Sequence, residues 1–281
     1  MPELPEVETV KLQLQKYVVR HKIISIDVKN RKVFQGDEKL ITGATFTEIR
    51  RFGKVLVFDL SNGYSIISHI KLTGQYIYRG PNLKNTPTLS KKVVGGVPGT
   101  HTHVIFNLDH GGILYYNDVR RFGWIKIVKT KDVVDFDFIK KLGPEPFGKL
   151  TLEEFKNIIS KTKRVIKVVL MDQSKIGGIG NIYANDALWE SKILPSRTSN
   201  SLNEDEQKDL YKAILKVLET GMKYGGASEL SFVTPEGSEG SYQMHTLVYG
   251  KQKTKCKRCG TIIVKTTLGG RGTYFCPKCQ K

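Results

Sequence analysis

The first three residues, Met1, Pro2 and Glu3, place a potential nucleophile beside an acid. Removal of the initiator methionine exposes Pro2 as a secondary amine, which titrates at about 7.7–8.0 against about 10.4 for a lysine side chain. Roughly a tenth of such amines are therefore unprotonated at neutral pH. A secondary amine that attacks a sugar C1′ forms a cationic imine, which accepts electrons in later bond-breaking steps. The alternative is structural, because Pro2 and Pro5 are rigid residues and Glu3 and Glu6 favour the positive end of a helix.

All four cysteines lie in the last 26 residues, as two Cys-X-X-Cys pairs separated by sixteen residues. The pairs are Cys256 with Cys259 and Cys276 with Cys279. This spacing predicts one tetrahedral zinc site that folds a short β-hairpin. Disulfides or redox-active thiols are the alternatives, and a reducing compartment disfavours the first of them. Because four thiolates fill all four metal positions, the predicted zinc is structural and activates no water.

The composition points to a polyanionic partner. The chain has 281 residues with 45 Lys and Arg against 27 Asp and Glu, for a net charge of +18. That length suggests two domains, and the excess of positive charge favours phosphate binding through counterion release. A membrane-surface binder is the alternative, but no long basic amphipathic helix and no apolar run of ~18 residues is present. The sequence begins without a signal peptide, so we expect a cytoplasmic protein.

The hydrophobic pattern divides the chain into a β-rich part and a helical part. A helix is predicted from residue 3 to about 18, and strands dominate from about 22 to 129. Residues 79–100 are rich in Gly, Pro, Asn and Thr, which predicts a mobile loop. Residues 131–150 are interpreted as an interdomain connector.

The helical part contains a turn suited to phosphate binding. Helices are predicted over 152–161, 163–172, 181–191 and a longer stretch that stops at Gly225-Gly226. The glycine-rich turn 176–180 precedes Asn181, where free N–H groups and the helix dipole favour a phosphate. Residues 227–242 lack periodicity, which is typical of a functional lid or of disorder.

Four segments in register carry a family resemblance. They are the start Met-Pro-Glu-Leu-Pro-Glu-Val-Glu-Thr, Leu-Gly-Pro-Glu-Pro at 142–146, Gly-Ile-Gly-Asn-Ile-Tyr-Ala at 178–184, and Gly-Gly-Arg-Gly-Thr-Tyr-Phe-Cys-Pro-Lys-Cys-Gln at 269–280. Together they resemble the formamidopyrimidine-DNA glycosylases, bacterial repair enzymes that remove 8-oxoguanine and ring-opened purines. The resemblance covers essentially the whole chain.

This resemblance implies an α+β fold of three modules. A β-sandwich with a flanking helix is expected over 1–130, followed by a linker over 131–150. A helix-two-turn-helix domain is expected over 151–242, with a lesion-capping loop near 225–242. A four-cysteine zinc finger built on a β-hairpin is expected over 243–281.

The resemblance also implies roles for individual residues. Pro2 becomes the nucleophile on C1′, Glu3 the acid/base group beside it, Lys54 a catalytic lysine near the sugar and its phosphate, and Arg271 a phosphate grip that assists the second elimination. The remaining positions expected to contact DNA are His69, His101, Lys163, Arg164 and Asn181.

A flipped base leaves a gap in the duplex, which family members fill with three residues. Here Arg120 matches the residue that hydrogen-bonds the orphaned base, and Phe122 matches the residue that enters the stack. Leu72 stands where methionine is usual, so an apolar wedge is retained with a less adaptable side chain. Asp186 stands where Glu is common, and Leu194 where a His often precedes the proline.

The sequence therefore predicts a bifunctional DNA glycosylase and lyase that acts on damaged double-stranded DNA. We expect a monomer with one structural Zn²⁺ and no nucleotide cofactor, acting in the bacterial cytoplasm at the nucleoid. One alternative is an endonuclease VIII-like enzyme for oxidised pyrimidines. Another is a zinc-finger DNA-binding protein without catalysis, which we would expect to lack Pro2, Glu3 or Lys54.

Overall fold

The computed structural model describes residues 1–83 and 87–281, which form two compact units. The first unit comprises Met1–Lys140 and Met222–Gln243, and the second comprises Lys141–Gly221 and Met244–Lys281. Residues 222–242, which were predicted to belong to the helical domain, thus pack with the sandwich. Hydrogen bonds between distant parts of the chain hold them there: for example, the backbone N–H of Tyr78 donates to the carbonyl of Pro235 at 2.8 Å.

Helix α1 (Leu4–Val18) begins close to the predicted position. Pro5 lies in its first turn, where a missing N–H costs no helical hydrogen bond. Val7, Val10 and Leu14 are buried on one face, as their spacing predicts. The helix packs on the sandwich and thereby fixes the direction of the N-terminus.

The β-rich part of the first unit is a sandwich of two sheets, which confirms the predicted module. Its nine strands are β1 (Ile23–Val28), β2 (Phe34–Gln35), β3 (Phe46–Phe52), β4 (Val55–Leu60), β5 (Tyr64–His69), β6 (Gly74–Arg79), β7 (Thr102–Leu108), β8 (Ile113–Asp118) and β9 (Trp124–Lys129). One sheet has the order β1-β7-β8-β6, and the other has the order β2-β9-β5-β4-β3. A shared core that includes Phe34, Phe58 and Phe106 lies within the unit.

The first part of the predicted interdomain linker, residues 131–140, packs on the sandwich. Val133, Phe138 and Ile139 belong to a second apolar cluster with Val57 of β4 and Ile67 of β5. A short helix, α2 (Asp137–Lys140), ends this covering segment. The apolar residues that drive this packing lie at irregular spacing, so periodicity alone did not reveal it.

The second unit is helical with a terminal β-hairpin. Its helices are α3 (Leu152–Ser160), α4 (Ile166–Met171), α5 (Asn181–Glu190) and α6 (Glu204–Lys223, whose last two residues belong to the first unit), and its hairpin strands are β10 (Val264–Leu268) and β11 (Arg271–Phe275). The Thr151 hydroxyl accepts the N–H of Glu154 at 3.2 Å, a capping box that starts α3 where the sequence predicts it. Within the described ranges, no helix combines the length and apolar character that crossing a membrane requires.

Candidate functional site

The N-terminal residues are held in a buried setting. Pro2 and Glu3 are buried, whereas Met1 is 43% exposed. The N–H of Glu3 donates to Glu6 Oε2 at 2.6 Å, and the N–H of Ala227 donates to Glu6 Oε1 at 2.7 Å. Glu6 therefore ties the predicted nucleophile to the start of the predicted lesion-capping loop. The sequence analysis assigned Glu6 only to the helix dipole; the Glu3–Glu6 spacing of a capping box could have indicated more.

Lys54 lies in the two-residue turn between β3 and β4 and is only 4% exposed. The preceding Gly53 has φ +56°, a conformation that glycine adopts without strain. Arg51 donates from Nη1 to the Gly53 carbonyl at 2.9 Å and from Nε to Glu8 Oε2 at 2.7 Å. These bonds join helix α1 to the Lys54 turn, so the elements bearing Pro2, Glu3 and Lys54 are linked.

The Glu8 carboxylate is ionised where it receives Arg51. Burial raises the pKa of Glu8, but hydrogen bonds from Arg51 and Lys11 outweigh that effect and lower it overall. The Lys11 ammonium lies 2.9 Å from Glu8 Oε1. The link between α1 and the Lys54 turn is therefore an ionic one.

His69, at the end of β5, is held as a neutral imidazole. Burial, together with the ammonium groups of Lys71 and Lys54, lowers the pKa of His69 to about 3. The N–H of Lys71 donates to His69 Nδ1 at 3.0 Å, which leaves Nε2 as the protonated nitrogen. Phe138 meets the ring edge-on at 5.2 Å between centroids. His69 is thus prepared to donate one hydrogen bond from Nε2.

The three predicted wedge residues lie on two loops of the first unit. Leu72 is half-buried in the β5–β6 loop, and Arg120 and Phe122 are exposed in the β8–β9 loop. The Arg120 guanidinium stacks 4.6 Å from the centroid of the Phe122 ring. His101 precedes β7, and its carbonyl accepts the N–H of Asp118 at 3.0 Å. Asp118 was not among the predicted site residues, and its buried carboxylate lies between these loops.

The loop at 225–242 is bound to the sandwich. Ser231 donates from its hydroxyl to the Leu72 carbonyl at 2.6 Å. Lys92 and Glu239 form an ion pair at 2.6 Å, and the N–H of Ser90 donates to the Gly237 carbonyl at 2.9 Å. The described part of the predicted mobile loop at 79–100 is therefore hydrogen-bonded to this segment, whereas residues 84–86 lie outside the described chain.

In the second unit, polar side chains attach the hairpin to the helices. Asn181 Nδ2 and Lys167 Nζ both donate to the Gly272 carbonyl, at 3.1 and 2.9 Å. Asn185 Oδ1 accepts the N–H of Tyr274 at 2.7 Å. These contacts set the position of the exposed Arg271 at the start of β11. Asn181 thus has a structural bond in addition to its predicted contact with DNA.

The other predicted phosphate contacts lie just before α4. Lys163 and Arg164 are both exposed. Arg164 pairs with Asp172 at 2.7 Å. Burial raises the pKa of Asp172, but hydrogen bonds from Arg164 and Ser174 lower it overall. Because Arg164 is engaged in this ion pair, substitution of Lys163 is the simpler test of a phosphate contact.

The four cysteines fit a tetrahedral metal ion. Their sulfur atoms all lie within 4.8 Å of one another, with Cys256 and Cys279 at 3.9 Å and Cys259 and Cys276 at 3.5 Å. Four Zn–S bonds of about 2.3 Å place sulfur atoms about 3.8 Å apart. Asp186, which stands where Glu is common, accepts the N–H groups of Val248 and Tyr249 at 3.0 Å each and so fixes the entry to the finger.

Comparison with known proteins gives matches along the chain. Three family models match: the formamidopyrimidine-DNA glycosylase N-terminal domain over residues 1–125, the H2TH domain of the same enzymes over 142–232, and a zinc finger found in FPG and IleRS over 254–281. A formamidopyrimidine-DNA glycosylase of Lactiplantibacillus plantarum is 40% identical, with both sequences covered in full. The Lactococcus lactis Fpg in complex with abasic-site DNA has a TM-score of 0.86 at 36% identity, covering 99% of each chain. A complex of MutM with DNA containing carbocyclic 8-oxo-G has a TM-score of 0.85 at 35% identity, covering all of both chains.

Proposed function

The chain belongs to the formamidopyrimidine-DNA glycosylase family, and on that premise we propose a residue-level mechanism for its base-excision repair of oxidised purines. The protein binds damaged double-stranded DNA and flips 8-oxoguanine or a formamidopyrimidine out of the stack. The buried N-terminus carries the proposal, because Pro2 and Glu3 lie together at the start of α1.

The Pro2 nitrogen attacks C1′ of the flipped nucleotide while the glycosidic bond breaks and its electron pair leaves with the base. The base takes up a proton, and Glu3 acts as the acid/base group for the proton transfers at the sugar. Ring opening then leaves a cationic imine between Pro2 and C1′. That imine withdraws electrons from C2′, so a C2′ proton is lost and the 3′ phosphate leaves by β-elimination. A second, δ-elimination releases the 5′ phosphate.

The other residues of the first unit orient DNA for these steps. Lys54, buried beside the N-terminal helix, supplies positive charge to the sugar and the adjacent phosphate. His69 donates to a phosphate oxygen as a neutral group, which the low pKa of His69 supports. His101 makes a further contact with the strand. Leu72, Arg120 and Phe122 fill the gap that the extruded base leaves.

The second unit contributes phosphate contacts from two elements. Lys163 and Arg164 precede α4, and Asn181 is the first residue of α5, where free N–H groups favour an anion. Arg271 binds phosphates at the lesion and assists the second elimination. The zinc-bound cysteines keep the hairpin folded so that Arg271 stays in place.

The remaining assignments follow from the same proposal. We expect a monomer that needs no nucleotide cofactor and acts in the bacterial cytoplasm at the nucleoid. The endonuclease VIII-like alternative is not favoured, because the relative and the first two family models are those of formamidopyrimidine-DNA glycosylase.

The nucleophile is tested by borohydride trapping on DNA containing 8-oxoguanine. Reduction is expected to give a covalent protein–DNA adduct that peptide mapping places on Pro2. A protein with one residue added before Pro2 has an amide nitrogen there, whose lone pair is delocalised and cannot attack. It should bind damaged DNA with unchanged affinity and form no adduct.

Two further variants separate the nucleophile from the acid. Pro2→Gly retains a terminal amine and should keep part of the trapping, while Glu3→Gln should depress excision of the base. An adduct on Lys54, or full activity in the extended protein, would show that the amine of Pro2 is not the nucleophile.

A further inference from the structure

The carboxylate of Asp118 lies between the two loops that carry the proposed wedge residues. Asp118 is the last residue of β8 and its side chain is fully buried. Its Oδ1 accepts the hydroxyl of Thr73 and the N–H of Arg120, the latter at 3.2 Å. Its Oδ2 accepts the N–H of Gly123 at 2.7 Å. One carboxylate therefore binds Thr73, which follows Leu72. It also binds Arg120 and Gly123, which lie on either side of the Arg121-Phe122 pair.

Thr73 closes the network from the other loop. Its hydroxyl donates to Asp118 and also accepts the N–H of Arg120 at 3.0 Å. The β5–β6 and β8–β9 loops are thus joined by a side chain from each. The bond from Thr73 to Asp118 is partly buried and the bond from Gly123 to Asp118 is buried, so water cannot replace these two bonds without cost.

The backbone on both loops needs such support. Lys71, just before Leu72, has φ +50°, and Arg121, just before Phe122, has φ +56°. Left-handed backbone at a residue with a side chain is strained and persists only where neighbouring contacts hold it. Both apolar wedge residues thus follow a strained residue, and the Asp118 network lies between the two.

The packing beneath the loops leaves no room for a larger residue at two glycines. A side chain added at Gly123 would meet the Tyr116 hydroxyl at 1.9 Å and Asp118 Oδ2 at 3.0 Å. One added at Gly74 would meet the same hydroxyl at 2.6 Å. Gly123 and Gly74 therefore both lie close to the Tyr116 hydroxyl, and neither position has room for a side chain.

We propose that Asp118 is a positioning residue that holds Leu72, Arg120 and Phe122 as one body, so that they enter the duplex together when a base is flipped. This inference rests on the proposed role of those three residues in filling the gap. Without the network, each loop relaxes separately and the extruded state of the base becomes less populated.

The first test compares Thr73→Val with Thr73→Ser. Valine removes the hydroxyl but leaves both backbone donors on Asp118, whereas serine keeps the hydroxyl. Thr73→Val should slow single-turnover excision of paired 8-oxoguanine about tenfold, the scale of one hydrogen bond to a charged acceptor, and Thr73→Ser should restore it. Thr220→Val, which removes an exposed hydroxyl bonded to Lys216 on α6, is the matched control and should leave the rate unchanged.

Two readouts separate positioning from general damage to the fold. Strand cleavage at a preformed abasic site should fall much less than base excision, because the unstacking cost is already reduced there. The fluorescence of 2-aminopurine placed next to the lesion should show less unstacking in Thr73→Val. Asp118→Asn should behave like Thr73→Val, and if it does not fold, Thr73→Val carries the test.

A double-mutant cycle distinguishes the positioning role of Asp118 from the proposed role of the wedge residues, on which it rests. Phe122→Ala alone should slow excision selectively, and adding Thr73→Val should then slow it less than Thr73→Val does in the wild type, because one of the positioned residues is already gone. Additive losses, or equal losses on 8-oxoguanine and abasic DNA in Thr73→Val, would overturn the role of Asp118. A normal rate in both Phe122→Ala and Leu72→Ala would instead refute the wedge assignment itself.

Discussion

At the residue scale, His69 shows how the surroundings of a side chain set its chemistry. The ring is 3% exposed, lies against Trp124 and Phe138, and faces the ammonium groups of Lys71 and Lys54. A protonated imidazole would be a stronger phosphate ligand, but the neutral form has one fixed donor and does not change with pH. At this position a hydrogen-bond donor of fixed direction is therefore favoured over a positively charged ring.

The pKa of His69 makes the stability of the protein depend on pH in a defined direction. The unfolded chain binds a proton at His69 below about pH 6.5, whereas the folded chain does so only near 3. The free energy of unfolding should therefore fall as pH decreases through this window, by about 2 kcal/mol between about pH 7.5 and pH 5. Urea unfolding of the wild type and of His69→Gln at both pH values isolates this contribution as a double difference.

A wild type and a His69→Gln variant with the same pH dependence would show that His69 titrates normally in the folded protein.

At the element scale, the terminal hairpin depends on both the metal and the helices. Trp189 of α5 packs with Cys256, Cys276 and Tyr274. The Arg258 guanidinium lies 4.0 Å from the centroid of the Trp189 ring. The cysteine cluster therefore forms part of a small core, and Arg271 extends from the hairpin that this core supports. The family-model match and the sulfur geometry establish a single structural zinc ion here.

Loss of the metal should unfold the hairpin while the sandwich stays folded. Cys256→Ser, or chelation of the wild type, is expected to weaken duplex binding about 10- to 100-fold as the Arg271 contacts are lost. In a Trp124→Phe background, Trp189 is the only tryptophan, so its emission should shift to longer wavelength when its packing opens. Lys257→Ser, at the exposed neighbouring position, is the control. Near-normal DNA affinity in metal-free protein would contradict this dependence.

Much at this scale could be predicted from sequence, and the exceptions share a physical cause. Helix α1, the strands around Val55–Leu60 and the zinc pairs follow periodicity, turn residues and ligand spacing, all of which are local. The packing of residues 131–140 on the sandwich and the return of residues 222–243 to it are long-range, and no local pattern encodes them. The bonds of Thr73 to Asp118 and of Ala227 to Glu6 could not be predicted for the same reason, because each joins segments that are far apart in the sequence.

At the scale of the whole molecule, charge sets how the protein meets DNA. A net charge of +18 gives attraction to any duplex, whatever its sequence. Most of the affinity for undamaged DNA should therefore be electrostatic and sensitive to salt.

The number of phosphate contacts can be measured from the salt dependence of duplex binding. If 6–10 contacts form, affinity should fall by roughly 10³–10⁵ between about 50 and 200 mM salt. Lys163→Ala should lower the slope of log affinity against log salt by about 1, equally for damaged and undamaged DNA. Lys39→Ala removes the same charge at an exposed position outside the predicted contacts and should leave the slope unchanged. Identical slopes in both variants would remove Lys163 from the contact set.

The first unit consists of two separate stretches of the chain, and this affects when it can form during synthesis. The chain leaves the first unit after Lys140 and returns only at Met222, so a ribosome must make about 100 more residues before that unit is whole. At ~5–20 residues per second this takes roughly 5–20 s. Until then the Glu6 carboxylate lacks the N–H of Ala227, and the N–H of Tyr78 lacks the Pro235 carbonyl. A truncated translation product can thus carry Pro2, Glu3 and Lys54 without the hydrogen bonds that join the N-terminal helix and β6 to residues 222–243.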